Sequence, residues 1–514
     1  MRARRWWMLA VTCLSVIVVN LDLTILNITL PAVSAALHAG TGDLQWLVDA
    51  YQLVFAAVML PAGVIGDRLG RKRLLLAGLA VFLAASLWCA LSVSAGELIA
   101  ARALMGLGAG IVFPLSLAVV SAAFGDDDRP VAIGILTAAI ALALPLGPVL
   151  GGLLLQHFSW HAVFWINVPA AGVTLAIGAV LMPESRNQAA PALDVTGALL
   201  STAAVTCLVW GFINGPEHGW ATAPTWGLLA GSVALLAAFA VRERRSANPV
   251  IEPALFADRR FTWGTAATVA VSVALYGILF TAPQYLQSVL GDDPASAGLR
   301  LLPMMGGLLA GGGAASPAVR AAGTRLTVAA GLALLAAGLA LLSQVDLGTS
   351  YAVVAAGLTL CGLGTGASIG AAMNVVMAAV GGDEAGIGAS VNSALRNTAG
   401  AVTVAALGSV LSATYTRDLR PALAALPAGD AAAARASIAQ AVQVAARLPA
   451  GGTALRAAAG AAFLHGMSTV MLACAVVAAA AILTSLRYLP GRATPGDPPA
   501  ALARPAAPDA GTRR

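Results

Sequence analysis

A chain of 514 residues with 59% hydrophobic and only 10% charged side chains has a mean hydropathy of +0.85. Water-soluble domains carry roughly 25% charged residues, so a soluble globular fold is excluded and lipid is the solvent that fits. The 29 basic residues outnumber 23 acids, but they are spread connection by connection, which argues against a nucleic-acid surface.

Crossing a bilayer takes about 20 apolar residues per helix. A window of that length finds spans near 8–31, 45–65, 73–94, 97–121, 131–155 and 162–182. After a polar break at Pro183–Asp194 come spans near 195–213 and 224–241, and after the charged segment Arg242–Arg260 come 262–290, 296–317, 325–344, 351–379, 388–412 and 464–486. Arg2, Arg4 and Arg5 precede the first span as in a secretory signal. A signal's apolar core is only about 7–15 residues long, whereas this run extends from Trp6 to Pro31 and holds Asp22, so a retained helix is expected.

The expected fold is an all-α membrane protein of fourteen transmembrane helices with both termini cytoplasmic. It divides into an N-terminal six-helix bundle at 1–183, two linker helices with a cytoplasmic connector at 184–261, and a C-terminal six-helix bundle at 262–488. A long outward loop is expected at 413–463, with Asp430–Ala446 as a short amphipathic helix on the outer surface, and a disordered cytoplasmic tail at 489–514. Orientation follows the basic residues. With the N-terminus inside, 21 of the 29 fall on inward segments, among them Arg68, Arg71, Lys72, Arg73, Arg129, Arg186 and Arg242.

The five cysteines, Cys13, Cys89, Cys207, Cys361 and Cys474, each stand alone in apolar stretches. With no Cys/His cluster, no metal site is expected, and packing is their reading.

Ionisable groups inside spans are costly, so each is a functional candidate. Asp22 lies mid-span in Asn20-Leu21-Asp22-Leu23-Thr24-Ile25-Leu26-Asn27; facing a cavity it would exchange a proton, and otherwise it is a paired structural carboxylate. Arg102, early in the fourth span, cannot shed its charge, so it either biases a neighbouring acid or anchors a backbone carbonyl. Asp49 and Tyr51 in the second span, and Asn392 and Arg396 in the thirteenth, are candidate walls of a substrate cavity. The inward loop Gly63-Val64-Ile65-Gly66-Asp67-Arg68-Leu69-Gly70-Arg71-Lys72-Arg73 combines charge with glycines suited to a tight, closely packed turn. In the fifth span, Pro145, Gly147, Pro148, Gly151 and Gly152 give a kinked helix with a flat face, as a hinge or seal requires.

The loop 63–73 resembles the signature loop of the major facilitator superfamily. Gly147-Pro148-Val149-Leu150-Gly151-Gly152 resembles that superfamily's antiporter motif, and the run from Leu21 to Pro31 resembles the first helix of its fourteen-helix drug:proton antiporters. Trp160-His161 with Asn167-Val168-Pro169 is similar to the same family's sixth-helix entry, though His161 stands where Arg is common and Met105 where Gln is usual.

The resemblance implies two six-helix bundles with two extra helices between them. It makes Asp67 and Arg71, with Gly63, Arg68 and Gly70, a conformational latch, assigns Arg102 with Asp22 to proton coupling, and gives Gly147, Pro148, Gly151 and Gly152 the role of bundle seal. No GxxxxGK[ST] phosphate loop is present. A monomeric, proton-driven exporter of drug-like or antibiotic-like molecules, without cofactor or nucleic-acid partner, is therefore expected in the cytoplasmic membrane. The rivals are a proton-coupled or facilitative transporter of a metabolite such as a sugar or amino acid, a membrane enzyme, and a sensor. The first conflicts with the antiporter motif, and the enzyme lacks clustered His or carboxylates within spans. The sensor lacks a soluble signalling domain.

Overall fold

Backbone N–H and C=O groups in lipid must be satisfied within the segment, which leaves helices as the economical solution for single apolar runs. The computed structural model describes residues 2–124, 128–185, 194–246, 253–380, 385–424, 426–448 and 451–490, and among these every regular element is helical. The tail from 491 onward, Arg186, and parts of the expected breaks at 183–194 and 242–260 lie outside the described residues.

The first group comprises α1 (Arg2–Leu37), α2 (Thr41–Leu69), α3 (Arg71–Leu91), α4 (Ala95–Ala123), α5 (Arg129–His157), α6 (Ala162–Trp165) and α7 (Asn167–Leu181). Next come α8 (Val195–His218) and α9 (Ala223–Arg245). The second group is α10 (Arg259–Gln284), running into a π turn at Tyr285–Val289, then α11 (Pro294–Arg300), α12 (Leu302–Ala322), α13 (Thr324–Leu342), α14 (Tyr351–Val380) and α15 (Ala385–Leu423). Short helices α16 (Ala428–Ala436) and α17 (Ile438–Arg447) lead to α18 (Gly452–Tyr488).

Eleven of the described helices are long and apolar enough to cross a membrane, or twelve if the bent pair Thr41–Met59 and Pro61–Leu69 is one span. The chain is thus an all-helical multi-pass membrane protein. Helices α5 and α12, of 29 and 21 residues, occupy the expected fifth and tenth spans but are outside those eleven.

Two expectations change. The span expected at 388–412 runs on to Leu423 and the last starts at Gly452, so the loop 413–463 shrinks to the segment holding α16 and α17. The single surface helix expected over Asp430–Ala446 is broken at Ser437, which is extended and caps α17. Helix α17 is amphipathic, with one side packed on the protein and Arg447 exposed at its end. Its Ile438, Ala441 and Val444 are buried, Ser437 Oγ meets Ser34 Oγ at 2.7 Å, and Gln440 Nε2 donates to the Ala39 carbonyl. Burying those apolar groups on the α1–α2 turn wins over leaving them in the interface.

Both ends of the described chain share one face. Trp6 at the start of α1 meets Phe124 at the end of α4, and Tyr488 stacks on Trp263 at the start of α10. We call this the termini face and the opposite end the distal face. Contacts between the two groups concentrate toward the distal face. Gln287 Nε2 donates to the Ile28 carbonyl at 2.8 Å, Gln45 Nε2 to the carbonyls of Val404 and Ala405, and Thr41 Oγ1 to the Ala436 carbonyl.

The linker helices are tied at one end by Arg242, whose guanidinium forks onto Asp194 with Nη2 at 2.9 Å and Nε at 3.0 Å. The same carboxylate caps α8 by accepting from the Gly197 N–H; the Arg242 hydrogen bonds hold the Asp194 carboxyl below its ordinary range. Helix α8 packs inward, with Trp210 edge-on to Trp46 of α2 and the Phe212 carbonyl accepting from Ser409 of α15.

Small residues set how near the spans come. A Cβ on Gly366 of α14 would strike the Leu308 carbonyl of α12 and lie 2.6 Å from the Gly312 nitrogen, whereas one on Gly306 would meet nothing within 4 Å. Gly366→Val should therefore lower the thermal unfolding midpoint in detergent, at a cost of about 1–3 kcal/mol typical of overpacking, while Gly306→Val leaves it unmoved. Equal midpoints for the two variants would refute the packing role.

Candidate functional site

In the middle of α1, most polar side chains are satisfied by their own helix: Asn20, Thr24 and Asn27 donate to the carbonyls of Val16, Leu21 and Leu23. Asp22 cannot donate when ionised and turns instead to its neighbours. It accepts from Arg102 Nη1 of α4 and, at 3.2 Å, from Asn167 Nδ2 at the start of α7. Asp22 is 0% and Arg102 1% exposed. Desolvating both ions is expensive, so the pair persists only because further partners satisfy it. Arg102 Nε donates to the Leu47 carbonyl at 3.2 Å, its guanidinium lies 4.3 Å from the Tyr51 ring centroid, and Met105 Sδ sits 3.6 Å from Nη1. Four helices, α1, α2, α4 and α7, thus converge on one ion pair.

Both alternatives for Arg102, partner of an acid and anchor on a carbonyl, are realised at once. Asp22 faces the bundle interior, away from lipid, and in this state it is closed off from water. Asn167, which the sequence offered only as part of a motif, completes its shell.

The latch residues gather at the termini face. Gly70 has φ +121°, a backbone open to glycine, and makes the α2–α3 turn. Arg71 Nε donates to Asp67 Oδ1 at 2.6 Å and Nη1 to the Ala118 carbonyl. Glu184 accepts from the Lys72 N–H and lies 3.6 Å from Arg73. Gly63 has open space around it, and Arg68 is exposed. These bonds tie the α2–α3 turn to α4 and to the segment just after α7.

The seal residues use two sides of α5. Added Cβ atoms on Gly147 and Gly151 would strike Thr24 and Ile28 of α1; one on Gly152 would lie 2.8 Å from the Ala295 Cα of α11, and the Pro148 carbonyl fills the place where Gly298 lacks a side chain. Helix α5 therefore joins its own bundle to the second one by backbone contact.

The four candidate cavity residues separate. Arg396 is partly exposed, with Nε on Ser272 Oγ at 3.0 Å. Asn392 is fully buried and accepts from Thr268, and Tyr51 is buried against Arg102. Asp49 is fully buried. Their burial takes these three away from the walls of an open cavity, whereas Arg396 is only partly buried. Tyr276 of α10, also partly buried, donates to Asn397 Oδ1 of α15 at 3.0 Å, one residue on from Arg396. Polar amides such as Gln45 and Gln287 give no sequence signal, since an uncharged amide is tolerated on many helix faces, whereas Asn397 is marked by its place beside Arg396.

The family model described as "Major Facilitator Superfamily" matches residues 12–404. The tetracenomycin C resistance and export protein of Streptomyces glaucescens is 33% identical over 513 residues, 97% of this chain and 95% of that protein. The multidrug efflux pump LfrA of Mycolicibacterium smegmatis is 34% identical over 489 residues, covering 94% and 96%. The methylenomycin A resistance protein of Streptomyces coelicolor is 34% identical over 80% of this chain and 87% of its own. Among solved structures, a bacterial homolog of the human lysosomal transporter Spinster, inward-facing and unoccupied, superposes with a TM-score of 0.67 at 15% identity, covering 96% of this chain and 100% of that one. A D-xylose-proton symporter gives 0.63 at 14% identity, covering 94% and 98%; at such identities the likeness is one of fold.

Removing one member of a buried ion pair costs about 3–5 kcal/mol because the other charge is stranded. A stranded carboxylate is relieved by protonation, whereas a stranded guanidinium is not. Asp22→Asn should therefore lower thermal stability in detergent more than Arg102→Met, with the double variant recovering much of the loss. A double variant no more stable than Asp22→Asn would sink this account.

Proposed function

Since the chain belongs to the major facilitator superfamily, whose members are transporters and not enzymes, we propose that it exports drug-like or antibiotic-like small molecules across the cytoplasmic membrane in exchange for protons. The relatives named as resistance, export and multidrug efflux proteins along nearly their whole length support the direction and the class of cargo. The Asp22–Arg102 pair carries the coupling: a carboxylate at the meeting point of four helices has two competing partners, a guanidinium and a proton.

In this reading α5 and α12 complete fourteen spans, supported by their lengths of 29 and 21 residues. The termini face is cytoplasmic, supported by the excess of Arg and Lys on the inward segments. The molecule acts as a monomer without cofactor. Cargo enters from the termini face between the bundles, beside Arg396 and Tyr276. When the Asp22–Arg102 pair opens to water, proton entry at Asp22 releases Arg102 from it, and the changed hydrogen bonds to α2 and α7 favour rearrangement of the first bundle. The Asp67–Arg71 pair holds the α2–α3 turn as the bundles rock, and the α5 contacts with α11 close the proton path in between. The membrane potential alone supplies about 2.3 kcal/mol per charge per 100 mV, enough to drive accumulation outside.

Inverted vesicles with an imposed proton gradient test the exchange. Wild type should take up cationic dye or antibiotic on acidification of the lumen and release protons when cargo is added. Asp22→Asn, and the double variant with Arg102→Met, should be present in the membrane at normal abundance and transport nothing. Proton-coupled uptake retained by the double variant would rule out the assigned role of the pair.

A further inference from the structure

Asp49 is 0% exposed, and both of its carboxylate oxygens lack a hydrogen-bond partner among the described residues. It sits on α2 one turn after Gln45 and one turn before Leu53, so the three share a side of the helix. Gln45 donates to the Val404 and Ala405 carbonyls of α15 at 3.1 and 2.8 Å. Leu53 packs in one apolar cluster with Val209 and Ile213 of α8 and with Ala401 and Ala405 of α15. Asp49 therefore lies in the seam where the first bundle meets the second, with the linker helix α8 laid over it.

The ionisable groups on the surrounding helices are engaged elsewhere. On α4, Arg102 is given to Asp22 and to the Leu47 carbonyl, and with Tyr51 lies on the opposite side of α2 from Asp49. On α15, Arg396 donates to Ser272, away toward α10. Helix α8 carries Cys207 within the span and His218 at its distal end, α3 carries Cys89, and Asp43 on α2 caps that helix's own first turn by accepting from the Gly40 N–H. Among the described residues no counter-charge answers Asp49, and an isolated carboxylate in such a setting is far costlier than the neutral acid.

We propose that Asp49 is a second proton site, filled when the distal ends of the bundles close, and that α8 is the cover that keeps water from it. This rests on the reading of the chain as a proton-coupled transporter of two rocking bundles. Parting the seam breaks the Gln45 bonds to α15, admits water to Asp49 and frees its proton. Closing requires the reverse: a hydronium ion on the distal side gives its proton to a carboxylate oxygen and leaves as water, and no other bond changes. The closed state thus holds one more proton than the open one. Lowering pH favours closure, by up to about tenfold in the closed-to-open ratio per pH unit between the two states' titration midpoints. The extra pair of helices then has a use beyond spacing, since without α8 the seam would face lipid and its headgroup water.

Double electron–electron resonance on the full chain in lipid nanodiscs, with spin labels on unnatural residues at positions 93 and 299, reads the distal gap; Val93 and Leu299 are 78% and 53% exposed there. Wild type without cargo should shift to the short distance as pH falls. Asp49→Asn should hold the short distance at every pH, and Asp49→Glu should titrate like wild type. Thinning the cover with Val209→Ala and Ile213→Ala should move the transition about one unit toward acid, as a less desolvated carboxyl requires. Wild-type titration in Asp49→Asn would overturn the proposal, as would an unmoved midpoint after thinning α8. Should the Asn variant misfold, the Glu and α8 variants still decide. The gap assay uses no cargo, so failure of proton-for-drug exchange in vesicles would be seen independently of it.

Discussion

A guanidinium carried into the membrane cannot be neutralised by losing its proton, so it must be answered within the protein. Arg102 obtains that answer from four directions: the Asp22 carboxylate, the Leu47 carbonyl, the Tyr51 face and the Met105 sulfur. Each partner stands on a helix that must be correctly rotated and at the right depth. The charge therefore fixes the mutual setting of α1, α2 and α4, and Asn167 brings in α7. What makes the pair costly to bury also makes it responsive: altering Asp22's charge changes what every one of those helices is holding.

The second bundle is held by a different means. Helices α12, α13 and α14 approach until backbone meets backbone, through Gly307, Gly311, Gly331, Gly338, Gly362, Gly364 and Gly366. Dispersion and close fit replace ionic contacts there, as expected where lipid offers no hydrophobic drive for association. The first bundle uses such contacts too, at Gly106, Gly108 and Gly110 of α4, and adds the buried ion pair to them. The seam between the two bundles, at α2, α15 and α8, combines amide-to-carbonyl bonds with an unanswered acid.

Asp22 and Arg102 could be found in the sequence because an ionised group inside an apolar run contradicts its surroundings. Their being partners could not, since that depends on the rotation of α1 against α4. Gln45 and Gln287 were illegible for the opposite reason, since an amide breaks no compositional rule, and Asn167 was marked only by its motif and not as a partner of Asp22. The glycine and proline pattern of α5 announced close packing, but its division into an α1 side and an α11 side appears only in three dimensions. The extension of α15 to Leu423 was missed because Arg417, Asp418 and Arg420 end the apolar window, although a helix can continue past the lipid, and Pro421 is tolerated near its end. Asp49, weakly marked in sequence beside Trp46 and Tyr51, gains its interest from what fails to surround it.

Helices α16 and α17 belong to the second half of the chain yet rest on the α1–α2 turn of the first. If the bundles rock as proposed, separating the distal ends would lift this clasp, baring Ile438, Ala441 and Val444 to water and breaking the Ser34–Ser437 and Gln440–Ala39 bonds. The toll falls on one half of the working cycle only. In the proposed exchange cycle this cost would favour the shut distal end in the absence of cargo.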